Sequence, residues 1–73
     1  MNGLQCRLAR VALGWGVREL AEAANVSTQT ISRLEKGDDL RPATFERIKT
    51  VLEEAGIIFI SDGRGYGILL KVQ

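Results

Sequence analysis

Near the middle of the chain, STQTISRLEKG (residues 27–37) carries Thr28, Gln29, Ser32, Arg33 and Lys36. On a helix turning about 100° per residue, these five occupy one arc of about 140°, while Thr30, Ile31, Leu34 and Glu35 fall on the remaining face. Gln and Arg offer paired hydrogen-bonding atoms that match base edges, and Thr, Ser and Lys suit phosphates as well. No carboxylate interrupts the arc. Ile31 and Leu34 supply enough apolar surface to dock such a helix and too little to bury it. The chemistry is therefore recognition of a polyanion, set against the plainer reading of a solvated surface face. Bond-making chemistry is not indicated. The chain has no histidine and one cysteine, Cys6, which leaves no zinc cluster, no internal disulfide and no nucleophile with a base beside it. No enzyme activity, metal or cofactor is expected.

The surrounding elements must present that arc to a ligand. Leu4, Leu8, Val11 and Ala12 recur at helical spacing after Asn2, a suitable N-cap, and Gly14 is a natural stop, which predicts a first helix. Val17, Leu20, Ala21 and Ala24 predict a second, ended by Asn25, a residue tolerant of the left-handed conformation. Ser27 caps the third helix and Gly37 follows it. Phe45, Ile48, Val51, Leu52 and Ala55 predict a fourth, stopped by Gly56. The period then changes: GIIFI and ILLKV read as two strands around a glycine-rich turn, SDGRGYG. No helix follows Gly63, Gly65 and Gly67, so they suit a hairpin loop rather than a phosphate cradle. Trp15 is expected to anchor the core, and Cys6 to be a small surface or partly buried residue. The fold class is mainly α: four helices and a C-terminal β-hairpin, with residues 1–56 as the binding unit and 57–73 as the hairpin element.

A chain of 73 residues with net charge +1 is one domain, whose basic residues matter by placement and not by sum. Charges among the apolar residues of MNGLQCRLARVALG exclude a signal peptide or membrane span, so a cytoplasmic location is expected. So short a chain leaves no room for a separate ligand-sensing domain.

The segment LGWGVRELAEAANVSTQTISRLEKG resembles the helix-turn-helix of the lambda repressor and Cro type, the XRE family. The matching positions are Leu20, Ala21, Val26, Ser27, Ile31, Arg33, Glu35 and Gly37, and the likeness extends over the four helices. LEEAGIIFI followed by a glycine-rich hairpin is similar to very small bacterial regulators of the same family. The resemblance implies a lambda repressor-like DNA-binding domain, acting as a transcriptional regulator, with Thr28, Gln29, Ser32 and Arg33 facing base edges next to Ser27. Lys36 and Arg41, at the end of that helix and in the following loop, suit phosphates. Two positions depart from the family pattern: Gly16 and Val17 stand where a serine cap and a glutamine are usual. A phosphate at that end must then be met by backbone N–H groups or by Arg18, which has an equal reading as a solvated surface arginine or a partner for Glu22. Glu35 lies at the edge of the docking face and needs a cation. Arg10 stands where related repressors carry one, which implies a structural ion pair.

The strands pose the partner question. Ile58, Phe59, Ile60, Ile68, Leu69 and Leu70 place apolar groups on both faces of the hairpin. A homodimer built on these residues would cover the second face and set two recognition helices on a palindromic DNA site. Two alternatives stay open: the hairpin closes the monomer's own core, or it binds a different protein, as in an antitoxin or adaptor.

Overall fold

The computed structural model describes residues 1–72. Four helices, α1 (Gly3–Ala12), α2 (Val17–Ala24), α3 (Thr28–Glu35) and α4 (Pro42–Glu54), precede strands β1 (Ile57–Asp62) and β2 (Gly65–Leu70). The strands pair antiparallel, with Ile57 opposite Leu70 and Phe59 opposite Ile68. Gln73, the last residue of the expected hairpin element, lies outside the described residues. Leu20, Ala21, Ala24, Ile31, Leu34, Ile48, Leu52 and Ile57 form the core with Cys6 and Ala9, and Trp15, Phe59 and Ile68 pack against it half-buried. The hairpin thus shares the helices' core.

Local signals explain where each helix begins and ends. Ser27 accepts the Thr30 N–H at 3.1 Å as the N-cap of α3. At the other end Gly37, at φ 101°, folds the chain back so that Asp38 N–H bonds Arg33 O and Gly37 N–H bonds Leu34 O, each at 3.0 Å. This is the paired closure of a left-handed C-cap. Asn25, at φ 55° and ψ 50°, ends α2 in the same way. Arg47 of α4 then ties down the turn, donating to Asn25 O at 3.1 Å. The glycine cap of α2 is completed by Glu19, whose carboxylate accepts the Gly16 N–H at 2.9 Å.

Three sequence expectations need correction. Helix α1 buries Gln5, Cys6 and Ala9, and the stripe expected to face the core, Leu4, Leu8 and Val11, is exposed. Close approach contributes: a β-carbon on Gly3 would run into the Leu34 carbonyl, so at that point α1 meets α3 through a residue without a side chain. Cys6 is fully buried, beyond the surface or partly buried position expected of it. The residues SDGRGYG are mostly strand, because Ser61 pairs with Tyr66 and Asp62 with Gly65, leaving Gly63 and Arg64 as the turn. Asp62 caps that turn, and its carboxyl is held below its ordinary range by hydrogen bonds from the Arg64 backbone and guanidinium.

Two polar contacts fix α1. The buried Gln5 amide accepts the Asn2 N–H at 3.0 Å and donates to Ile60 O at 2.7 Å and Gly67 O at 3.1 Å, so one side chain both caps α1 and fastens the hairpin. Arg10 meets Glu35 with two parallel bonds, Nε to Oε2 at 2.9 Å and Nη2 to Oε1 at 3.0 Å, and its Nη1 donates to Trp15 O at 3.1 Å. The two side chains are only 14% and 11% exposed. Hydrogen bonding to Glu35 raises the guanidinium's already high pKa. Cys6 lies 3.8 Å from Glu35 Oε2, and burial, followed by that negative charge, pushes its thiol up from 9.0 to about 12.

Replacing Gln5 with alanine is expected to cost about 1–3 kcal/mol of unfolding free energy, the penalty for losing buried polar partners, measured by urea titration. Arg10→Ala leaves a carboxylate desolvated and is expected to cost about 3–5 kcal/mol; an unchanged thermal midpoint would show the pair to be energetically idle. Because the folded state holds the Cys6 proton more tightly than the unfolded chain, this group's contribution is complete below pH 9.0 and is lost as the pH rises towards about 12. Native protein should therefore resist iodoacetamide at pH 8, measured by mass spectrometry, and react once urea unfolds it.

Candidate nucleic-acid interface

Helices α2 and α3 pack on each other across the three-residue turn Asn25, Val26 and Ser27, whose geometry is set by the left-handed Asn25 and the Ser27 cap. Ile31 and Leu34 are buried on the inner side of α3. Thr28, Gln29, Arg33 and Lys36 are exposed on the outer side, and Ser32 is half-buried between them. The outer surface of α3 therefore carries hydrogen-bonding groups in the order the helical period dictates.

The ends of α3 modify this set. The Ser27 side chain is exposed but committed: Oγ accepts the Thr30 N–H and lies 2.9 Å from Thr30 Oγ1. Its first task is to shape the turn. Arg33 is not isolated either. The fold-back at Gly37 brings Asp38 beside it, with Nε 3.5 Å from Asp38 Oδ2 and both side chains more than half exposed. A solvated contact of that length is weak, so the guanidinium's outer nitrogens stay available to another acceptor.

Further cations flank the helix. Arg41 is the exposed N-cap residue of α4 and makes no side-chain capping bond. With Thr30, Arg33, Asp39, Leu40 and Thr44 it lines a shallow groove between α3 and the start of α4. Arg18 is exposed in the first turn of α2 and forms no ion pair among the described residues; the pairing with Glu22 is not made. Lys36 is the last αR residue before the Gly37 reversal.

The hairpin residues divide. Phe59 and Ile68 turn half-buried side chains onto the monomer's own core. Ile58, Ile60, Leu69 and Leu70 remain exposed.

Sequence reasoning overlooked four residues that shape the site: Gln5, Glu19, Asp38 and Arg47. Two had a signal in the spacing, since Asn2 to Gln5 and Gly16 to Glu19 both stand three apart, as a capping box requires. Asp38 becomes a neighbour of Arg33 only through the Gly37 reversal, and Arg47 reaches its acceptor across 22 residues.

No helix among the described residues is long and apolar enough to cross a membrane. A family model described as helix-turn-helix matches residues 7–57, from the first turns of α1 to the start of β1. Comparison with curated proteins and with solved structures gives no significant match. With two short helices joined by a capped three-residue turn, a polar face on the second, and most of the chain matched by the family model, this protein belongs to the XRE-type helix-turn-helix family and is a DNA-binding transcription regulator.

Proposed function

We propose that the protein is a sequence-specific repressor that binds a palindromic operator as a homodimer, with α3 of each copy in a major groove. The four helices then form a lambda repressor-like reading unit, and the hairpin element 57–73 joins the copies. The observation that carries this reading is the split of α3, with Ile31 and Leu34 buried while Thr28, Gln29, Arg33 and Lys36 stand in solvent.

Each side chain has a chemical role in the proposal. Arg33 donates two parallel bonds to guanine O6 and N7, and Gln29 pairs with adenine N6 and N7. Thr28 touches a thymine methyl or a phosphate, and Ser32 approaches the groove floor from its half-buried position. Lys36 and Arg41 neutralise phosphates, as does Arg18 with the backbone N–H groups at the start of α2. Ser27 acts by holding the turn in register. The molecule extends 29 Å in its two longer directions, so two copies side by side suit recognition helices about 34 Å apart, one turn of B-DNA. Such a repressor acts from the cytoplasm by occupying a promoter. A second reading, an adaptor that binds another protein, is favoured by the exposed Ile58, Ile60 and Leu69 on the hairpin's outer face.

Selection of preferred sites from random duplex DNA at a stated salt concentration tests the proposal: an inverted repeat is expected, and unselective recovery would reject it. Arg33→Ala should lose about 1–3 kcal/mol on the selected site, relax preference at one base pair and leave non-specific binding nearly unchanged. Lys36→Ala and Arg41→Ala should weaken every sequence alike and each reduce the salt slope by about one. An equal loss of specific and non-specific binding in Arg33→Ala would remove that residue from base recognition.

A further inference from the structure

The two edges of the hairpin are not equivalent. Its two-residue turn closes on Asp62 and Gly65, and beyond the other end Lys71 N–H bonds Gly56 O at 2.8 Å. Hydrogen-bonded pairs alternate between these points, so Ile57, Phe59 and Ser61 aim their backbone groups away from the ladder on one edge, and Tyr66, Ile68 and Leu70 on the other. The β1 edge lies beside α4, where Lys49 and Glu53 line the same groove as Ile57, Phe59 and Ser61. Charged neighbours discourage another strand there. The β2 edge lies on the side of α1, whose exposed residues include an apolar stripe that forms its border.

The misread stripe of α1 explains that border. Gln5 reaches the hairpin through the Ile60 and Gly67 carbonyls, and on the helix wheel Leu8, Leu4 and Val11 follow Gln5 in turn, away from the core. Leu4 is 55% exposed, Leu8 39%, Val11 63%, Tyr66 60% and Leu70 43%. Together they present on the order of 500 Å² of surface, backbone included, the size of the largest patch on an ordinary monomer and the small end of what one partner contributes to an interface. These five residues and Ile68 are uncharged, and the exposed Arg7, one turn from both Leu4 and Val11, and Lys71, next to Leu70, stand at their margin; an apolar centre with charges at its rim is compatible with an identical copy across a two-fold axis.

We infer that the open edge of β2 and the Leu4, Leu8 and Val11 stripe of α1 together form the homodimer interface, with β2 pairing antiparallel with β2 of a second copy. The inference rests on the homodimer proposed above and names its surface. The outward backbone groups of Tyr66, Ile68 and Leu70 place the two-fold axis at Ile68, so Tyr66 meets Leu70 of the other copy and Leu70 meets Tyr66, as a two-fold contact requires. The joined sheet has four strands and is closed by the two α1 stripes. Neither α2 nor α3 packs substantially on the hairpin, so both recognition helices remain outside the interface.

Sedimentation equilibrium on the full chain tests this, with circular dichroism to confirm folding. Wild type is expected to be a dimer at micromolar concentration. Leu8→Lys and, separately, Tyr66→Pro should raise the dissociation constant at least tenfold while retaining the helical signal; the proline removes an outward N–H and leaves the hairpin's own bonds intact. Ile58→Lys, on the opposite face of the sheet, should have little effect. The inference is overturned by a monomeric wild type with the patch free for another protein, by dimers indifferent to both variants, or by dissociation in Ile58→Lys alone. Binding of each variant to a half-site duplex keeps the two questions apart, since a monomer that still prefers the half-site sequence preserves the DNA reading whatever becomes of the interface.

Discussion

Glu35 sits at the junction of α1 and α3 with its carboxylate nearly removed from water, a position that is costly unless both oxygens are met. Arg10 meets them with the flat, two-pronged geometry that only a guanidinium offers, and its remaining nitrogen takes the Trp15 carbonyl. One side chain thus fixes α1, the turn into α2 and the last turn of α3. The consequence is rotational. Successive residues of a helix are about 100° apart, so a roll of α3 by one residue would turn Ile31 outward and bring polar groups into the core. The ion pair resists that roll from inside, together with Ile31 and Leu34. The outward orientation of Gln29 and Arg33 is therefore a property of the scaffold and precedes any ligand.

The ends of α3 show how capping and recognition share residues. Ser27 gives its hydroxyl to the Thr30 N–H, so a residue that composition alone would assign to the ligand serves the fold. At the other end, the reversal that satisfies the last carbonyls also carries Asp38 back to Arg33. Both groups are well solvated, and the contact is worth little to stability. Its effect would fall on the base contact proposed for Arg33, where a base taking the guanidinium would compete with a nearby carboxylate, penalising weak contacts more than a well-aligned bidentate pair.

Much of this was legible in the sequence where one force acts alone. The four helices follow from apolar period and from stop residues at Gly14, Asn25, Gly37 and Gly56, all of which adopt positive φ. The two faces of α3 followed from period as well. Helix α1 was misread because its more hydrophobic stripe, Leu4, Leu8 and Val11, lost to a face of small residues around one polar amide. Close approach at Gly3 and the hydrogen bonds of Gln5 contributed to the outcome, and neither is visible to a hydrophobicity pattern. The strands were drawn too short for a related reason: Gly65 and Gly67 read as turn residues, yet each pairs across the ladder. Long-range polar contacts such as those of Arg47 leave no local trace.

A two-stranded hairpin is only marginally stable alone, which makes its attachment to α1 consequential. Gln5 holds the hairpin and Arg10 holds α3, and these residues are separated by about 7.5 Å along one continuous helix. Whatever position the hairpin takes in an assembly is transmitted to α3 through a single rigid element instead of a linker. In the dimer inferred above, the angle between the two recognition helices is then set by the packing of α1 and β2, and the assembly tolerates little variation in half-site spacing. Flexible tethering would permit several spacings with similar affinity. A rigid connection favours one, because a misplaced half-site must be reached by distorting either the DNA or the Gln5 and Arg10 contacts that order the monomer.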